Sequence, residues 1–377
     1  MNSLEDYFNK FSNFASQLSE EETPFIAICI EKLQENCRRF RNAYPRAKIF
    51  FAVKANNHPV VIQTFRDEKI NFDVASWGEI QMLLHEGIEP TRMAFNAPTK
   101  IPREIKEAFL AGVDIFAFDS IMELEKLAML APGCRLLARV VVDNTGSFYP
   151  LDQKFGMDER EACQALLYSK KLGLNPYGLT FHVGSQNTDP EAWVRAMEKV
   201  AVLRSEVYSQ GIDLQVIDIG GGYPARYGKS IPELEEIADR INNAAGDLFP
   251  DHVELWLEPG RGLVSDAGIL VASIINRAQR GENEWLYLDV GVFHGLIEAW
   301  ESIGFEFPIR TDKDGGAQKR FVLAGPTCDS GDVISRNVQL PDSLTLGDRL
   351  YIFSAGAYTN AMAFYNGISF PRVIRVD

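Results

Sequence analysis

The sequence predicts an α/β fold, in which a (β/α)8 barrel of the TIM type is followed by a second, mostly β domain. The chain has 377 residues, which is enough for a barrel of about 250 residues with an appended domain. Short apolar stretches alternate with helical patterns up to about residue 262, as in parallel sheets with helical crossovers. After Gly262 the apolar stretches follow one another without long helices, which indicates a mostly β domain.

The barrel prediction depends on eight strands from Ile49 onwards, each ending in a polar loop. A strand at 23–30 and a helix at 31–45 come before them. The eight strands are predicted at 49–55, 71–76, 92–96, 115–119, 134–142, 178–184, 214–222 and 254–260. Helices are predicted at 58–68, 77–86, 102–111, 120–130, 159–173, 190–209 and 231–246, and the stretch 144–156 is predicted to be a loop. Eight parallel strands are the number that closes such a barrel.

The remaining segments complete the domain organisation. Apolar residues at Leu4, Phe8 and Phe11 predict an amphipathic helix within residues 1–22. In the C-terminal part, strands are predicted at 268–280, 284–291, 319–325 and 348–354. We therefore expect an N-terminal helix and strand over 1–27 that pack with the β domain, a barrel over 28–262, and a β domain over 263–377.

The composition is that of an ordinary globular protein, with 46% hydrophobic and 24% charged residues. The formal net charge of −14 argues against non-specific binding to nucleic acid and does not disfavour a cationic substrate. The sequence has no apolar run of about 18 residues and no secretory signal pattern, so we expect a cytoplasmic protein without a membrane span. The five cysteines are scattered and fit neither a disulfide framework nor a zinc cluster, so no metal site is expected.

Lys54 is the first candidate for chemistry, because it follows the apolar run 49–53 and precedes a polar turn. A lysine at the end of a buried strand is either solvated or held at the mouth of a site. Burial lowers the pKa of an ammonium group, and we expect the amine of Lys54 to be kept near neutral in this way. A neutral amine can attack an aldehyde and form a Schiff base.

The ends of the other predicted strands carry further polar residues, which meet at one mouth if the barrel closes. In chain order they are Asp73, Arg139, His182 with Ser185, Asp218 with Gly220–Gly222, and Glu258 with Arg261. The glycine triplet can bring backbone N–H groups close to a phosphate, although a tight turn is the alternative interpretation. Glu258 and Arg261 could likewise form an ordinary ion pair, and His182 could be a buried core residue.

Together these residues describe a site for pyridoxal phosphate. A lysine can bind its aldehyde, a carboxylate can face its ring nitrogen, an imidazole can stack on its ring, and Gly, Ser and Arg groups can bind its phosphate. The β domain adds Cys328, a thiol in the polar loop 325–332 that could donate a proton. It also adds Tyr358, whose phenol could bind the phosphate or simply lie half-buried in a strand.

The sequence resembles the fold-type III pyridoxal phosphate decarboxylases, and among them the ornithine/lysine decarboxylase family. The resemblance runs from about residue 23 to the end, through FFAVKAN, FDVAS, KFG, FHVGSQ, DIGGGYP, EPGRGLV, GPTCDSGD and GAYT in the family's order. It implies an alanine-racemase-like two-domain architecture. It also implies decarboxylation of a basic L-amino acid, L-ornithine or L-lysine, to putrescine or cadaverine, as in polyamine biosynthesis.

The resemblance further implies a role for each motif residue. Lys54 would bind the cofactor's aldehyde, Glu258 would pair with its ring nitrogen, and His182 would stack on the ring. The residues that would line the cofactor pocket or hold its phosphate are Asp73, Arg139, Ser185, Gly221, Gly222, Gly260, Arg261 and Tyr358. The family's site is shared across a homodimer. Cys328 of the partner subunit would therefore protonate Cα after CO₂ leaves, and Asp329 of the partner subunit would bind the substrate's distal ammonium.

Some features leave the substrate open. Diaminopimelate decarboxylases share most motifs, and the stretch 330–334 is closer to them, whereas GPTCD and the tail after Tyr358 are closer to ornithine decarboxylases. A second acidic residue near the distal amine is expected within 291–303, with Glu298 as first candidate and Glu301 as second. A conjugated amino acid is a further alternative substrate. A non-catalytic regulatory homologue is an alternative of another class, although Lys54 and Cys328 are both present.

Overall fold

The structure is a computed structural model that describes residues 18–313, 316–360 and 365–377. The predicted helix within residues 1–22 lies almost entirely outside these ranges. None of the described helices is long and apolar enough to cross a membrane. In chain order the elements of the first part are β1 (Phe25–Cys29), α1 (Ile30–Ala43), β2 (Ala47–Ala52), α2 (Pro59–Asp67), β3 (Asn71–Val74), α3 (Trp77–His85), β4 (Met93–Phe95), α4 (Pro102–Leu110), β5 (Ile115–Phe118), α5 (Ile121–Leu130), β6 (Arg135–Arg139), β7 (Ser147–Tyr149), α6 (Glu159–Lys171), β8 (Asn175–Thr180), β9 (Ser185–Asn187), α7 (Glu191–Ser209), β10 (Val216–Asp218), α8 (Leu234–Leu248), β11 (Glu254–Leu257) and α9 (Arg261–Val264).

Eight parallel strands close the barrel, in the order β2, β3, β4, β5, β6, β8, β10 and β11. The last and first strands meet where Leu255 pairs with Ala47. The prediction of a (β/α)8 barrel is therefore confirmed. Because all eight strands are parallel, their carboxyl ends meet at a single mouth.

Alternate residues of each strand face opposite sides of the barrel wall. Phe51 faces the helices and packs against Phe65, with ring centroids 4.6 Å apart. Its neighbour Phe50 belongs to a separate apolar cluster, in which the ring of Trp256 lies 4.5 Å away. The cluster also includes Ala94, Ala117, Leu137 and Val216 from other barrel strands. These side chains fill the barrel interior, so polar chemistry is left to the ends of the strands.

Polar residues after the strands also define where the next helices begin. The Ser76 side chain accepts a hydrogen bond from the backbone N–H of Glu79, 3.2 Å away, at the start of α3. Asp158 and Glu161 form a reciprocal capping box at the start of α6. Such caps satisfy N–H groups that the first helical turn leaves free, so they fix the lengths of the loops that carry the site residues.

The second domain is built on an eight-stranded sheet, which confirms that it is mostly β. Besides β1, its strands are β12 (Gly268–Arg280), β13 (Asn283–Leu288), β14 (Ile309–Thr311), β15 (Gln318–Ala324), β16 (Val333–Pro341), β17 (Arg349–Ile352) and β18 (Arg372–Val376). Six of them follow the order β14, β17, β12, β13, β15, β16, and β1 pairs antiparallel with β12 and parallel with β18. The strands β14, β16 and β18 were not predicted.

The stretch 144–156, predicted to be a loop, contains a short strand. β7 pairs antiparallel with β9, with Ser147 opposite Asn187 and Tyr149 opposite Ser185. The side chain of Asn144 supports this pair by donating a hydrogen bond to the carbonyl of His182, 3.1 Å away. Two three-residue strands that are far apart in sequence leave no periodic signal, so the pairing could not be predicted from the local pattern.

Candidate active site

Lys54 lies at the barrel mouth beside Asp73. The chain leaves β2 at Ala52 and forms a 3-10 turn over Val53–Ala55, which places Lys54 at the carboxyl end of the strand. Ala52 pairs with Asp73 on the neighbouring strand. Lys54 follows Ala52 by two residues, so its side chain lies next to that of Asp73. The Nζ atom of Lys54 lies 3.1 Å from Oδ2 of Asp73, and the lysine side chain is 50% exposed whereas the aspartate side chain is 4% exposed. The amine can therefore be reached from the mouth.

The protonation of Lys54 differs from our prediction. Although half of the lysine side chain is exposed, the protein around its amino group displaces water, and this desolvation alone lowers the pKa of the ammonium group. The carboxylates of Asp73 and Glu258 outweigh this effect and raise the pKa of Lys54 above its ordinary value. An opposite charge at hydrogen-bonding distance favours the charged form. The prediction of a neutral amine is therefore wrong for this structure. For Lys54 to attack an aldehyde, its ammonium must first lose a proton, and Asp73 is the carboxylate in contact with it.

Glu258 follows β11 and lies among buried polar groups. Its carboxyl group is in hydrogen-bonding contact with Asp218 and accepts a hydrogen bond from Nδ2 of Asn96. Burial, with the neighbouring charge of Asp218, raises the pKa of Glu258 well above its usual range. Burial also raises the pKa of Asp218, to about 6. Burial and a neighbouring negative charge both favour the protonated form of a carboxyl group, because a second negative charge out of water is costly.

His182 is held as a neutral ring. The backbone N–H of Gly184 donates a hydrogen bond to its Nδ1, 3.0 Å away. Burial lowers the pKa of His182 to about 3, and the positive charges of Arg139 and Lys54 act in the same direction. Because Nδ1 accepts, the neutral ring carries its proton on Nε2. The guanidinium of Arg139 also lies 5.6 Å from the ring centre of Phe155.

Three glycines allow backbone segments to come close together at the mouth. A Cβ atom on Gly221 would lie 2.7 Å from the carbonyl oxygen of Glu258 and 3.1 Å from Nε2 of His182. A Cβ atom on Gly222, whose φ is +101°, would lie 2.7 Å from the carbonyl oxygen of Gly184. A Cβ atom on Gly260 would lie 3.0 Å from the Cβ atom of Ala55. Side chains at these positions would therefore collide with the site, and glycine leaves the backbone N–H groups uncovered.

Arg261 is buried at the same mouth and is bound on several sides. Its terminal nitrogens donate to the two carboxylate oxygens of Glu298, each 2.6 Å away. They also donate to the hydroxyl of Tyr227 at 2.8 Å and to Oγ of Ser185 at 3.4 Å. The ring of Tyr358 lies against the guanidinium, 4.8 Å from its carbon to the ring centre. Two of the other predicted phosphate-binding side chains, Ser185 and Tyr358, are thus both in contact with Arg261.

The pairing of Glu298 with Arg261 differs from the contact that we expected for Glu298. We expected its carboxylate to face the distal ammonium of a substrate, and in the structure it faces a guanidinium. A buried cation requires a counter-charge, because an unpaired charge away from water is costly. The second candidate, Glu301, is 80% exposed and lies 3.4 Å from Arg336 at the surface.

The mouth has features that fit a phosphate-bearing aromatic cofactor. Nε of Arg261 is buried and has no hydrogen-bond partner in the described part of the chain, so its N–H group needs an acceptor. A phosphate oxygen is such an acceptor and forms charge-assisted hydrogen bonds with guanidinium groups. The glycine positions leave space that Cβ atoms would fill, and the neutral ring of His182 borders one of them, Gly221.

Cys328 and Asp329 are exposed residues of the second domain. Asp329 accepts hydrogen bonds from the backbone N–H of Gly331 at 2.8 Å and from the hydroxyl of Tyr365 at 3.4 Å. The sulfur of Cys328 lies 3.8 Å from Nδ2 of Asn366. Within the ranges that the structure describes, neither side chain shares a hydrogen bond or ion pair with the barrel residues of the mouth. One chain therefore gathers the barrel residues but leaves these two apart from them.

Sequence reasoning missed three residues that shape the site. Asn96 directly follows β4, so the rule that found Asp73 could also have found it. Tyr227 lies in the loop after the glycine triplet, where no pattern distinguishes it. Asp332 is 1% exposed and accepts hydrogen bonds from the backbone N–H groups of Val292 at 2.9 Å and Thr327 at 3.1 Å. It thereby fixes the loop that carries Cys328 and Asp329, but its sequence context is that of an ordinary turn.

Comparisons with known proteins agree with the geometry. The sequence model of the family described as "Pyridoxal-dependent decarboxylase, pyridoxal binding domain" matches residues 30–265. The lysine/ornithine decarboxylase of Selenomonas ruminantium is 34% identical over 358 residues, which are 94% of this chain and 90% of that protein. Antizyme inhibitor 2 of Xenopus laevis is 32% identical over 379 residues, which are 96% of this chain and 82% of that protein.

A solved structure shows the same architecture. The crystal structure of the lysine/ornithine decarboxylase from Vibrio vulnificus complexed with cadaverine has a TM-score of 0.91 at 31% identity. The match covers 98% of this chain and 99% of that one. Because the family model, the relatives and the fold agree, the chain belongs to the fold-type III decarboxylases of the ornithine/lysine decarboxylase family and is a pyridoxal phosphate-dependent amino-acid decarboxylase.

Proposed function

We propose that the chain decarboxylates L-ornithine and L-lysine to putrescine and cadaverine, a reaction of polyamine biosynthesis. The observation that carries the proposal is the contact of Lys54 with Asp73 at a mouth where Glu258 also acts on the lysine's charge. An amine for an aldehyde and a carboxylate for a ring nitrogen are thereby available at one place. Relatives named for both lysine and ornithine support the choice of a basic substrate.

We assign each residue of the mouth a role toward pyridoxal phosphate. Lys54 binds its aldehyde, Glu258 faces its ring nitrogen, and His182 lies against its ring as a neutral imidazole. Asp73 and Arg139 line the pocket. The phosphate is bound by Ser185, Gly221, Gly222, Gly260, Arg261 and Tyr358, and the unpaired Nε–H of Arg261 is one donor for it. When bound, the cofactor acts as an electron sink for the electron pair that departing CO₂ leaves behind.

We propose that two copies of the chain form a homodimer with shared sites. Cys328 and Asp329 are exposed and have hydrogen-bonding contacts within their own domain, at Tyr365, Gly331 and Asn366. In the dimer, Cys328 of the partner subunit donates its thiol proton to Cα after CO₂ has left, and Asp329 of the partner subunit binds the substrate's distal ammonium. The fixed loop around Asp332 supports this, because a donor that must meet one carbon atom has to be held in place.

The nature of the distal group follows from the charges that are available. Asp329 is an exposed carboxylate, whereas Glu298 is neutralised by Arg261. A substrate with a distal ammonium is attracted to Asp329, and one with a second carboxylate is repelled unless a cation faces it. We keep Glu298 as a second substrate-binding candidate, acting once its pair with Arg261 opens. A difference of one CH₂ group is worth only about 1–3 kcal/mol, so one site can accept both ornithine and lysine.

The direct test is CO₂ release from L-ornithine, L-lysine, L-arginine and meso-diaminopimelate by the purified protein loaded with pyridoxal phosphate. The proposal predicts release from ornithine and lysine, with the diamine product identified by mass. Release from meso-diaminopimelate alone would assign the chain to the diaminopimelate branch. A protein that is colourless after loading and releases no CO₂ would support the alternative of a regulatory homologue. One relative, antizyme inhibitor 2, has a name of that kind.

The composition supports a proposal on location and partners. We propose a cytoplasmic protein, because the five scattered cysteines suit a reducing compartment. We propose that it binds neither membranes nor nucleic acid, because the net charge of −14 repels anionic lipid and phosphate backbones. Fractionation of cells that express the chain at its natural level tests the location. Recovery with the membrane fraction after a salt wash would contradict it.

A further inference from the structure

The proposed function gives no role to Asp218, although this residue lies against Glu258. Asp218 is the last residue of β10 and is fully buried. The backbone N–H of Gly220 donates to its Oδ1 at 2.9 Å, and the hydroxyl of Thr180 also hydrogen-bonds it. The backbone of Glu258 is tied to the same segment, because its N–H donates to the carbonyl of Gly220 at 2.8 Å. The two carboxyl groups are therefore held together by the backbone as well as by their own contact.

Asn96 connects the two carboxyl groups from the other side. Its Nδ2 donates to Glu258 and lies 3.4 Å from Oδ2 of Asp218. The amide oxygen of Asn96 is buried and has no hydrogen-bond partner among the described residues. A buried acceptor without a donor costs free energy, so the orientation of this amide is set by the two carboxyl groups.

Four other charged or titratable side chains of the described residues face this cluster, and they are Asp73, Lys54, Tyr223 and His182. Asp73 adds a like charge to both carboxyl groups, and Lys54 opposes it at Glu258. Burial raises the pKa of the Tyr223 phenol, and the charge of Asp218 acts in the same direction. The ring of His182 borders Gly221, which is in the same segment as Asp218. The cation that acts on Glu258, Lys54, is already paired with Asp73, so its positive charge is divided among three carboxyl groups. One proton between the carboxyl groups of Asp218 and Glu258 would remove one of their two negative charges.

We propose that Asp218 is a positioning residue that shares one proton with Glu258 and thereby fixes the orientation and charge of the carboxylate that faces the cofactor. The inference rests on the proposed role of Glu258. Hydrogen bonding through a shared proton leaves the other oxygen of Glu258 free to accept from the cofactor's ring N–H. Asp218 itself touches neither the cofactor nor the substrate in this scheme.

The proposal makes opposite predictions for two substitutions. Asp218→Asn keeps the shape and supplies an amide N–H in place of the shared proton, but it removes the like charge, so the proton affinity of Glu258 falls. Asn96→Ala removes an N–H donor to the carboxylate, so the proton affinity of Glu258 rises. Asp213→Asn is the matched control, because Asp213 precedes the same strand and pairs with Arg204 at the other end of the barrel.

The test follows the absorption of pyridoxal phosphate bound to the full chain from about pH 5 to about pH 9, together with kcat and KM at each pH. We expect the acidic midpoint to fall by about one pH unit in Asp218→Asn, which is about tenfold in proton affinity, and to rise in Asn96→Ala. Asp213→Asn should match the wild type. KM for the amino acid should stay within about twofold in both site variants, because neither residue contacts substrate.

Unchanged midpoints in both site variants, or shifts in the same direction, would overturn the proposal. If Asp218→Asn does not fold, Thr180→Val decides instead, because it removes the hydroxyl that hydrogen-bonds Asp218. The shared proton should then lie closer to Asp218 and the midpoint of Glu258 should fall, whereas an unchanged midpoint would overturn the proposal. Failure of the proposed function is distinguishable from failure of this inference. In the first case the wild type releases no CO₂ from ornithine or lysine, and in the second the wild type releases it and only the predicted shifts are missing.

Discussion

The guanidinium of Arg261 is paired with the carboxylate of Glu298 through two hydrogen bonds of 2.6 Å, and both side chains are almost fully buried. The pair joins the barrel to the second domain at the mouth. It also links two roles that were predicted separately, the binding of the cofactor's phosphate and the binding of the substrate's distal amine. A substitution of Glu298 should therefore affect both the binding of the cofactor's phosphate and the binding of the substrate's distal amine.

Glu298→Gln should destabilise the cofactor-free protein by about 3 to 5 kcal/mol, because it leaves a buried guanidinium without its counter-charge. Pyridoxal phosphate supplies a new negative partner, so it should stabilise the variant more than it stabilises the wild type. Thermal unfolding with and without the cofactor measures both effects. Glu301→Gln is the control, since Glu301 is largely exposed, and it should change stability by less than about 0.5 kcal/mol. Equal stabilisation of Glu298→Gln and wild type by the cofactor would contradict the prediction.

Gly221→Ala should weaken cofactor binding by at least about tenfold, because the new methyl group would lie 2.7 Å from the carbonyl oxygen of Glu258 and the backbone must shift. The dissociation constant of pyridoxal phosphate, measured from its absorption on titration, reports the effect. Gly246→Ala is the matched control. A Cβ on Gly246 meets no atom within 4 Å, and its helical position should gain about 0.5 to 1 kcal/mol of stability. Equal affinities for both variants would show that Gly221 is not part of the phosphate-binding site.

His182 should remain neutral at every pH at which the protein is folded and active. Its pKa is lowered to about 3 in the folded chain, whereas an unfolded histidine titrates near about 6.5. The folded state therefore binds fewer protons than the unfolded state between these values. The stabilising contribution of the neutral ring is fully present above about pH 6.5 and is lost as the pH falls toward about 3. In spectra of ¹⁵N-histidine-labelled protein, the signal that disappears in His182→Gln should not titrate between about pH 5 and about pH 8. A midpoint near its unfolded value would refute the assignment.

The shared site predicts complementation between two inactive variants. Lys54→Ala lacks the covalent link to the cofactor, and Cys328→Ala lacks the proton donor, so each homodimer should be nearly inactive. In a mixed dimer one of the two sites has both residues, so an equal mixture should recover about a quarter of wild-type turnover after subunit exchange. Cofactor binding by Cys328→Ala alone should match the wild type. A mixture no more active than its components would place Cys328 and Lys54 of one chain in the same site, or would remove Cys328 from the reaction.

Much of the barrel could be predicted because its signals are local. Strands such as Phe72 to Val74 are fully buried, and the helices between them begin at caps such as Ser76 that are visible in the sequence. The polar residues at the strand ends converge because closure of a parallel barrel brings the carboxyl ends of all its strands to one mouth. The family resemblance then supplied roles that residue types alone left open.

The rest depends on contacts between distant segments. The pKa of Lys54 was predicted to be lowered, whereas it is raised in the structure. The prediction considered burial without the carboxylates of Asp73 and Glu258. The pairing of Glu298 with Arg261 joins residues 37 positions apart across two domains. The contact of Asp218 with Glu258 depends on which strands become neighbours when the barrel closes. No periodicity records such pairings, so they had to come from the structure.

The most direct measurement of the central claim is the release of CO₂ from L-ornithine and L-lysine by the wild type and by Lys54→Ala, each loaded with pyridoxal phosphate. Lys48→Ala, which removes an exposed lysine at the opposite end of β2, serves as the control. We expect release by the wild type and the control, and none by Lys54→Ala, together with loss of the absorption band of covalently bound cofactor. Undiminished release by Lys54→Ala, or none from either amino acid by the wild type, would contradict the account.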